Sequence, residues 1–486
     1  MKRLLSIPFF FLFTLSVYGQ GSADALVYAQ QYYQGTAKAI GMASALGAIG
    51  GDMTAVCINP GGLGLYRKDE FTFSTGLQYG STKSTYYGET ASDGRLRMTL
   101  PNTGYVWVRE RSNFRPLRRT QFGIALTRTN DFNYNAVARG VNPDNSLIDA
   151  YLAQIDGLSE SQIGEQFPYT IYPAWQAHLI DLVDGYCGSP VPKGNLTQRE
   201  AIQSTGRNEE WTFSYSFDLY DRLFIGASFG LAHLKRNVST DFTETALPDY
   251  SATSFHDWTF SQRTQSTGWG INGKIGMIYF PADWLRIGAA FHTPTRDCFD
   301  ESWATMTEAT LDMNYGGQTY TSYYEYVYRS PSKCVGSLAF FVKQHGLISL
   351  DAEYTNYGKA KFDCTSDDYY DYTSVNDEIK ELYGKTFNLR FGTEWRINDS
   401  YLRAGCAYYG SPYGFGEADG SMWKAACGIS LPVSKATTFD FGYEMVRSRS
   451  AHMPYQYYEN EAPAVQDVNQ VKTLGNLVLT LKIKDY

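Results

Sequence analysis

Along much of this chain every second residue is large and apolar. In Trp211-Thr-Phe213-Ser-Tyr215-Ser-Phe217-Asp-Leu219 the odd positions are bulky and the even ones polar, and Phe439-Asp-Phe441-Gly-Tyr443-Glu-Met445 repeats the pattern. Phe71 and Phe73, continuing to Leu77 and Tyr79, follow it, as do Leu389-Arg-Phe391-Gly-Thr393-Glu-Trp395-Arg-Ile397, Ile348 to Tyr354 and Leu477 to Ile483. Successive side chains of a strand point to opposite faces, so each segment has one oily side and one wet side.

A soluble sandwich alternates too, and two features separate it from a membrane barrel. The segments reach about ten residues, the length a tilted strand needs to cross a bilayer. Connections also alternate between tight and long. Tyr220-Asp221-Arg222, Pro281-Ala282-Asp283, Gln344-His345-Gly346, Asn398-Asp399 and Pro432 to Lys435 are tight, while 80–95, 138–207, 240–254, 299–321, 363–385, 410–421 and 449–472 are long. Short turns on the periplasmic side and long loops outside are the layout of an outer-membrane barrel. The segments count to fourteen: 70–80, 96–110, 119–137, 208–219, 222–239, 255–280, 284–298, 322–342, 347–362, 386–397, 401–410, 421–432, 437–448 and 473–484. The expectation is an all-β fold, a 14-stranded antiparallel transmembrane β-barrel.

Closure follows from the solvent. In hydrocarbon an unpaired backbone amide costs several kcal/mol, and a closed barrel leaves none exposed. The polar face then turns inward with Asp351, Glu353, Arg390, Glu394, Arg396, Asp440 and Glu444, both signs present, as in a lumen crossed by salt bridges. After the N-terminus there is no apolar run of about eighteen residues, which excludes a helical membrane protein. Residues 1–19 read as a secretory signal peptide: Lys2 and Arg3, an apolar stretch from Leu4 to Leu15, and small Val17 and Gly19 before a cut near Gly19–Gln20. A formal charge of −8 argues against nucleic acid as a partner, because phosphate binding is dominated by Lys and Arg. Cys57, Cys187, Cys298, Cys334, Cys364, Cys406 and Cys427 are scattered and odd in number, without a C-x-x-C pair, which speaks against a disulfide scaffold or a zinc site.

Two apparent chemical motifs fail on context. Gly226-Ala-Ser228-Phe-Gly230 has the spacing of a nucleophile elbow, but it lies inside an alternating strand rather than a strand-to-helix turn. Gly268-Trp-Gly270-Ile-Asn-Gly273 has the spacing of a dinucleotide fingerprint and no helix follows it. His233 and His256 could meet across a hairpin, a weak metal signal. No catalytic residue, cofactor or metal is assigned, and the chain reads as a non-enzyme.

Residues 35–65 do not alternate and are rich in Gly and Ala, with Asn59-Pro60-Gly61 supplying a turn. Lying before the first strand, this stretch can enter the barrel from the periplasm as a plug. It resembles the N-terminal hatch of the FadL/TodX family, outer-membrane channels for long-chain fatty acids and hydrocarbons. There a glycine-rich stretch leads to an Asn-Pro-Ala-Gly motif; here Asn59-Pro60-Gly61-Gly62 has Gly in the place of Ala. The strand count and Leu285-Arg-Ile-Gly-Ala-Ala-Phe-His-Thr-Pro294 resemble the family as well. The resemblance implies a hatch over 20–66 and a barrel over 67–486. It also implies gating through Asn59, Pro60, Gly61 and Gly62, and passive lateral exit of a hydrophobic small molecule into the bilayer. The family's basic lumen residues have no local motif and are not placed.

The 138–207 connection adds to this. Leu147, Ile148, Tyr151, Leu152 and Ile155 share one helical face, and Trp175, Leu179, Leu182 and Val183 another, so two helices could frame a ligand-capture groove or simply cap each other. Asn130-Asp131 in the third strand could interrupt pairing and open the wall, or form a bulge. Expected partners are the apolar ligand, membrane lipid and lipopolysaccharide, and the barrel-assembly machinery. The alternatives are a FadL-like barrel docking or shuttling for protein secretion, a haem-related receptor, and an outer-membrane hydrolase using Ser228.

Overall fold

The alternating segments form strands whose oily side faces out. On Leu196–Leu219, Trp211, Phe213, Tyr215 and Phe217 are exposed while Thr212, Ser214, Ser216 and Asp218 are buried. On Thr437–His452, Phe441, Tyr443 and Met445 are exposed while Asp440 and Glu444 are buried. This inversion of the soluble rule is the mark of a wall solvated by lipid and lined inside with polar groups. The computed structural model describes residues 21–485 except 112–115, 184–185, 249–253, 317–319, 366–370, 415–418 and 460–461; the expected signal peptide and Tyr486 lie outside the described residues.

The wall is a closed barrel of 14 antiparallel strands. These are β1 (Glu70–Tyr86), β2 (Glu89–Glu110), β3 (Leu117–Asp131 and Tyr134–Asn142), β4 (Leu196–Leu219), β5 (Leu223–Ala246), β6 (Asp257–Ala282) and β7 (Leu285–His292 and Arg296–Thr310). They continue as β8 (Tyr320–Arg329 and Lys333–Val342), β9 (Gly346–Asn356 and Lys361–Cys364), β10 (Lys385–Ile397), β11 (Ser400–Tyr409), β12 (Met422–Pro432), β13 (Thr437–His452) and β14 (Val468–Lys484). Closure is made by β14 on β1, from Glu70↔Lys484 to Thr85↔Asn469. No helix among the described residues is long and apolar enough to cross a membrane.

Several strands run far past the apolar band. On β5 the outward positions change from Ile225, Phe229 and Leu231 to His233 and Lys235, and the strand continues to Ala246. The expected loops 80–95, 240–254 and 299–321 are therefore largely strand. The first is a tight hairpin turning at Tyr87 and Gly88, both at positive φ. Beyond the lipid neither face needs to be oily, so the period-two signal stops while the hydrogen-bond ladder continues. Arg396, expected in the lumen, is exposed at the short β10–β11 turn, donating to Asn398 O at 2.8 Å.

Candidate functional site

The chain before β1 fills the bore. Its elements are α1 (Ser22–Ala29), α2 (Ala37–Gly41), α3 (Met53–Ile58) and a tight turn over Pro60–Leu65. Ala39, Ile40, Met42, Leu46, Cys57 and Ile58 are wholly buried. Small residues on both sides permit this: a β-carbon at Gly226 of β5 or Gly442 of β13 would overlap the backbone of Pro60 or Ala37. Asn59 fixes the turn, donating through Nδ2 to Gly47 O at 2.7 Å and to Met277 O of β6 at 3.0 Å, and accepting from Gly61 N at 3.0 Å. Gly at 61 has a local reason, since a β-carbon there would sit 2.9 Å from Met277 Cα; at Gly62 it would sit 3.0 Å from Gly50 Cα.

The charged residues of the 35–65 stretch, Lys38 and Asp52, tie the plug to the wall. Asp52 caps α3 by accepting from Thr54 N at 2.9 Å, accepts from Thr36 Oγ1, and meets Lys482 Nζ of β14 at 3.0 Å. Lys482 also meets Asp440 at 3.2 Å, Asp440 meets Arg403 at 3.1 Å, Arg403 meets Glu394 at 2.6 Å, and Glu394 reaches Lys38 at 3.7 Å. Charges alternate from plug through β14, β13, β11 and β10 back to plug, so each buried ion has an opposite neighbour, without which burial would be prohibitive. A second anchor is Gly47 N donating to Asp351 Oδ2 at 3.0 Å, with Glu353 held by Arg390 at 3.1 Å. Higher in the bore, Tyr28 of α1 stacks on Phe299 with ring centres 4.8 Å apart, and Arg236 of β5 bridges to Asp24 at 2.7 Å.

The hydrogen-bond ladder of the wall is interrupted beside this plug. Pairing of β2 with β3 covers only Asn102↔Thr127 to Glu110↔Arg119, and the rest of β2 pairs with β1 alone. The freed edge of β3 is taken by the plug: Gln34 N donates to Arg128 O at 3.0 Å and Tyr32 N to Thr129 O at 2.7 Å. Asn130 and Asp131 sit at this break, just after a register shift between Arg128 and Asn130 against β4. Asn130 Nδ2 donates to Gln30 O at 2.9 Å, and Asp131 bridges Arg128 at 3.1 Å. Behind them lies a cavity of about 280 Å³ lined by Gln30, Tyr32, Gln34, Asn130, Phe132 and Lys424, among others.

Over the long-loop end, α4 (Leu147–Ile155), α5 (Glu160–Gln166) and α6 (Ile171–Gln176) form a cap on the tops of β4, β5 and β6. A cavity of about 170 Å³ lies beneath α4, lined by Leu147, Tyr151, Phe242, Phe260 and Tyr455. Of the expected capture residues Leu147 and Tyr151 reach it. Ile148, Leu152, Ile155, Trp175 and Leu179 pack within the cap instead, and the side chain of Leu182 lies outside the described residues. The second expected helix stops at Gln176 because His178 takes φ 55°, and Asp181–Val183 is a short strand. Glu244, on β5 beyond the apolar band, anchors the cap by accepting from Leu147 N at 3.0 Å, Gln198 Nε2 at 2.7 Å and Trp258 Nε1 at 2.8 Å. Burial with no cation beside it pushes this carboxyl up to about 7.

The apparent enzyme motifs dissolve. Ser228 lies inside β5 with its hydroxyl 2.7 Å from Ser214 Oγ, and Gly270 leaves room for Asp297 across the pair. His233 stacks on Trp269 at 4.2 Å, and His256 lies far up the wall opposite Ala246, so the two histidines do not meet. No cluster of three or more metal-ligating side chains occurs among the described residues. Sequence reasoning missed α1 and its aromatic seat, the Lys38 and Asp52 bridges, and the pairing of Tyr32 and Gln34 with β3. Two isolated charges in a stretch of Gly and Ala were the available signal for the bridges.

No family model matches the sequence, and no curated protein matches it. Solved structures do match in fold. A FadL homologue of Pseudomonas aeruginosa aligns with TM-score 0.57 and 12% identity over 93% of this chain and 98% of that one. The toluene transporter TodX of P. putida aligns with 0.55 and 12% identity over 93% and 98%. The toluene transporter TbuX of Ralstonia pickettii gives 0.51 and 16% identity over 93% and 99%. The chain therefore has the fold of the FadL/TodX-type channel barrels along nearly its whole length.

Proposed function

We propose that this chain is a bacterial outer-membrane channel for passive uptake of hydrophobic small molecules, long-chain fatty acids or similar apolar compounds. In this reading a hatch gates the lumen and cargo leaves sideways into the bilayer. The observation that carries the reading is the exchange of partners on β3. Where β2 leaves the wall, residues 32–34 of the plug occupy the vacated edge. Withdrawal of that segment uncovers both the edge and the cavity behind it, so one movement opens a path from lumen to membrane.

Each group has a role in that path. The cavity under α4, with Leu147 and Tyr151, takes cargo from outside. The cavity beside Asn130 and Asp131 receives it above the hatch. Asn59, Pro60, Gly61 and Gly62 seat the hatch against β5 and β6. No energy source is required, since transfer of an alkyl chain from water to lipid is favourable by about 0.8 kcal/mol per CH₂. Two of the barrels with this fold are toluene transporters, which supports a cargo of this class. The test is uptake of labelled oleate and labelled toluene by cells lacking the protein and by the same cells making it. Faster uptake of at least one is expected, and unchanged rates for both would reject the transport role.

A further inference from the structure

The seam between β2 and β3 carries more positive charge than the hatch or the wall uses. Above Pro101 one face of β2 shows Leu96, Met98 and Leu100, all exposed, with Met98 82% accessible. The alternate residues Arg95 and Arg97 are partly buried and turn the other way, toward the two halves of β3. There Arg128 and Glu209 are register partners, on the face that carries Phe122 and Trp211 lower down. This part of β2 packs along both halves of β3, which brings Arg95 and Arg97 beside the bridged group of Arg128, Asp131, Glu209 and Arg207.

The acids are already taken. Asp131 bridges Arg128 at 3.1 Å, and Glu209 bridges Arg128 at 3.2 Å and Arg207 at 2.8 Å. Arg95 and Arg97 form no salt bridge among the described residues, and the carboxylate that reaches Arg97, Asp131, is the one already bridged to Arg128. Arg95 Nη1, Arg97 Nη1 and Arg128 Nε are sealed from solvent without a hydrogen-bond acceptor. Four guanidinium groups against two carboxylates leave a surplus of two positive charges. They lie at the level of Leu77, Tyr79 and Leu96, the outer edge of the apolar band, where an uncompensated charge is costly. Planar guanidinium forks match the oxygens of a phosphate. A phosphate monoester carries about −1.5 to −2 charges, which balances this surplus where a single carboxylate does not.

We propose that this seam is a binding site for the phosphorylated headgroup of a lipid in the extracellular leaflet. Arg95 and Arg97 hold the phosphate, with Arg128 kept in place behind them by Asp131 and Glu209, and the acyl chains lie along Leu96, Met98 and Leu100. The bound lipid seals the outside of the gap that the plug seals from within. The proposal rests on the chain being a membrane barrel with this seam and is independent of what cargo it carries.

The test is native mass spectrometry of the full-length barrel in detergent, titrated with phosphatidic acid (a phosphate monoester), phosphatidylethanolamine or oleate. Wild type is expected to retain one phosphatidic acid with at least tenfold preference over phosphatidylethanolamine. R95Q/R97Q should lose about tenfold of that affinity. R95K/R97K should keep most of it, and K83Q, at the exposed hairpin tip, should equal wild type. Folding of each variant is checked by resistance to SDS before boiling. Equal retention by wild type and a folded R95Q/R97Q, or no preference for phosphatidic acid, overturns the proposal. Preference for oleate over phosphatidic acid overturns the lipid assignment in favour of a cargo carboxylate. Phosphatidic acid binding without any uptake activity refutes the transport reading and leaves this site standing.

Discussion

Asp52→Asn is the cleanest perturbation of the hatch. Asparagine keeps the volume, still caps α3 through Thr54 N, and can still accept from Thr36 Oγ1. What it removes is the charge facing Lys482 at 3.0 Å. Lys482 is not stranded, because Asp440 remains 3.2 Å away, so the cost falls below the 3–5 kcal/mol of breaking a buried pair outright. Loss of one hydrogen bond between charged groups costs about 1.5–3 kcal/mol. Taking about 2 kcal/mol, and a factor of ten per 1.4 kcal/mol, the hatch should open roughly thirtyfold more often. Hydrogen exchange reads this directly, since local opening sets the exchange of protected amides. Amides of residues 37–58 should exchange roughly thirtyfold faster while the paired amides of β4, β5 and β6 stay unchanged. Unchanged exchange over 37–58 would refute the assignment of Asp52 as a latch. Equal acceleration across the barrel would show that the bridge stabilises the wall and not the plug.

Gly226→Ala drives a β-carbon into the backbone of Pro60, so the hatch turn should be displaced at a cost of about 1–3 kcal/mol, seen as faster exchange of residues 59–65 in a barrel that still resists SDS. The extracellular cap should weaken as pH rises. Glu244 titrates near 7 when folded against 4.5 unperturbed, so the folded cap holds the extra proton between those values. Its stabilising effect is full below about pH 4.5 and is lost as pH approaches 7, on the order of 3 kcal/mol in all. Protease cleavage of the 147–183 loop should accordingly be faster at pH 8 than at pH 5, and Glu244→Gln should flatten that dependence.

The wall was legible because lipid imposes a rule on sequence: outward positions must be oily wherever hydrocarbon touches them. That rule exposed β4, β10 and β13 residue by residue and placed Arg390, Glu394 and Asp440 inside. It fell silent above the bilayer, where 80–95 reads as a polar loop yet forms the tips of β1 and β2. The plug was legible as a small-residue segment that does not alternate, and its turn at Asn59 as a fixed point. Its bonds to the wall were not legible, since Asp52 and Lys482 lie 430 residues apart and no local pattern couples them. The cap helices were half legible. Period 3.6 identified α4, while backbone geometry at His178 ended the second helix where apolar spacing alone would have carried it on. The break at Asn130 and Asp131 showed as turn-forming residues in a strand, but which segment heals that break is a matter of tertiary pairing.

The proposed gate can be locked. Gln34 and Arg128 are bridge partners across plug and wall, close enough for a disulfide between cysteines placed there. In Gln34→Cys/Arg128→Cys, uptake of labelled apolar cargo should fall to the level of cells lacking the protein under oxidising conditions and recover on adding a reductant. Full uptake with the crosslink formed would contradict the claim that the plug must leave β3 for cargo to pass.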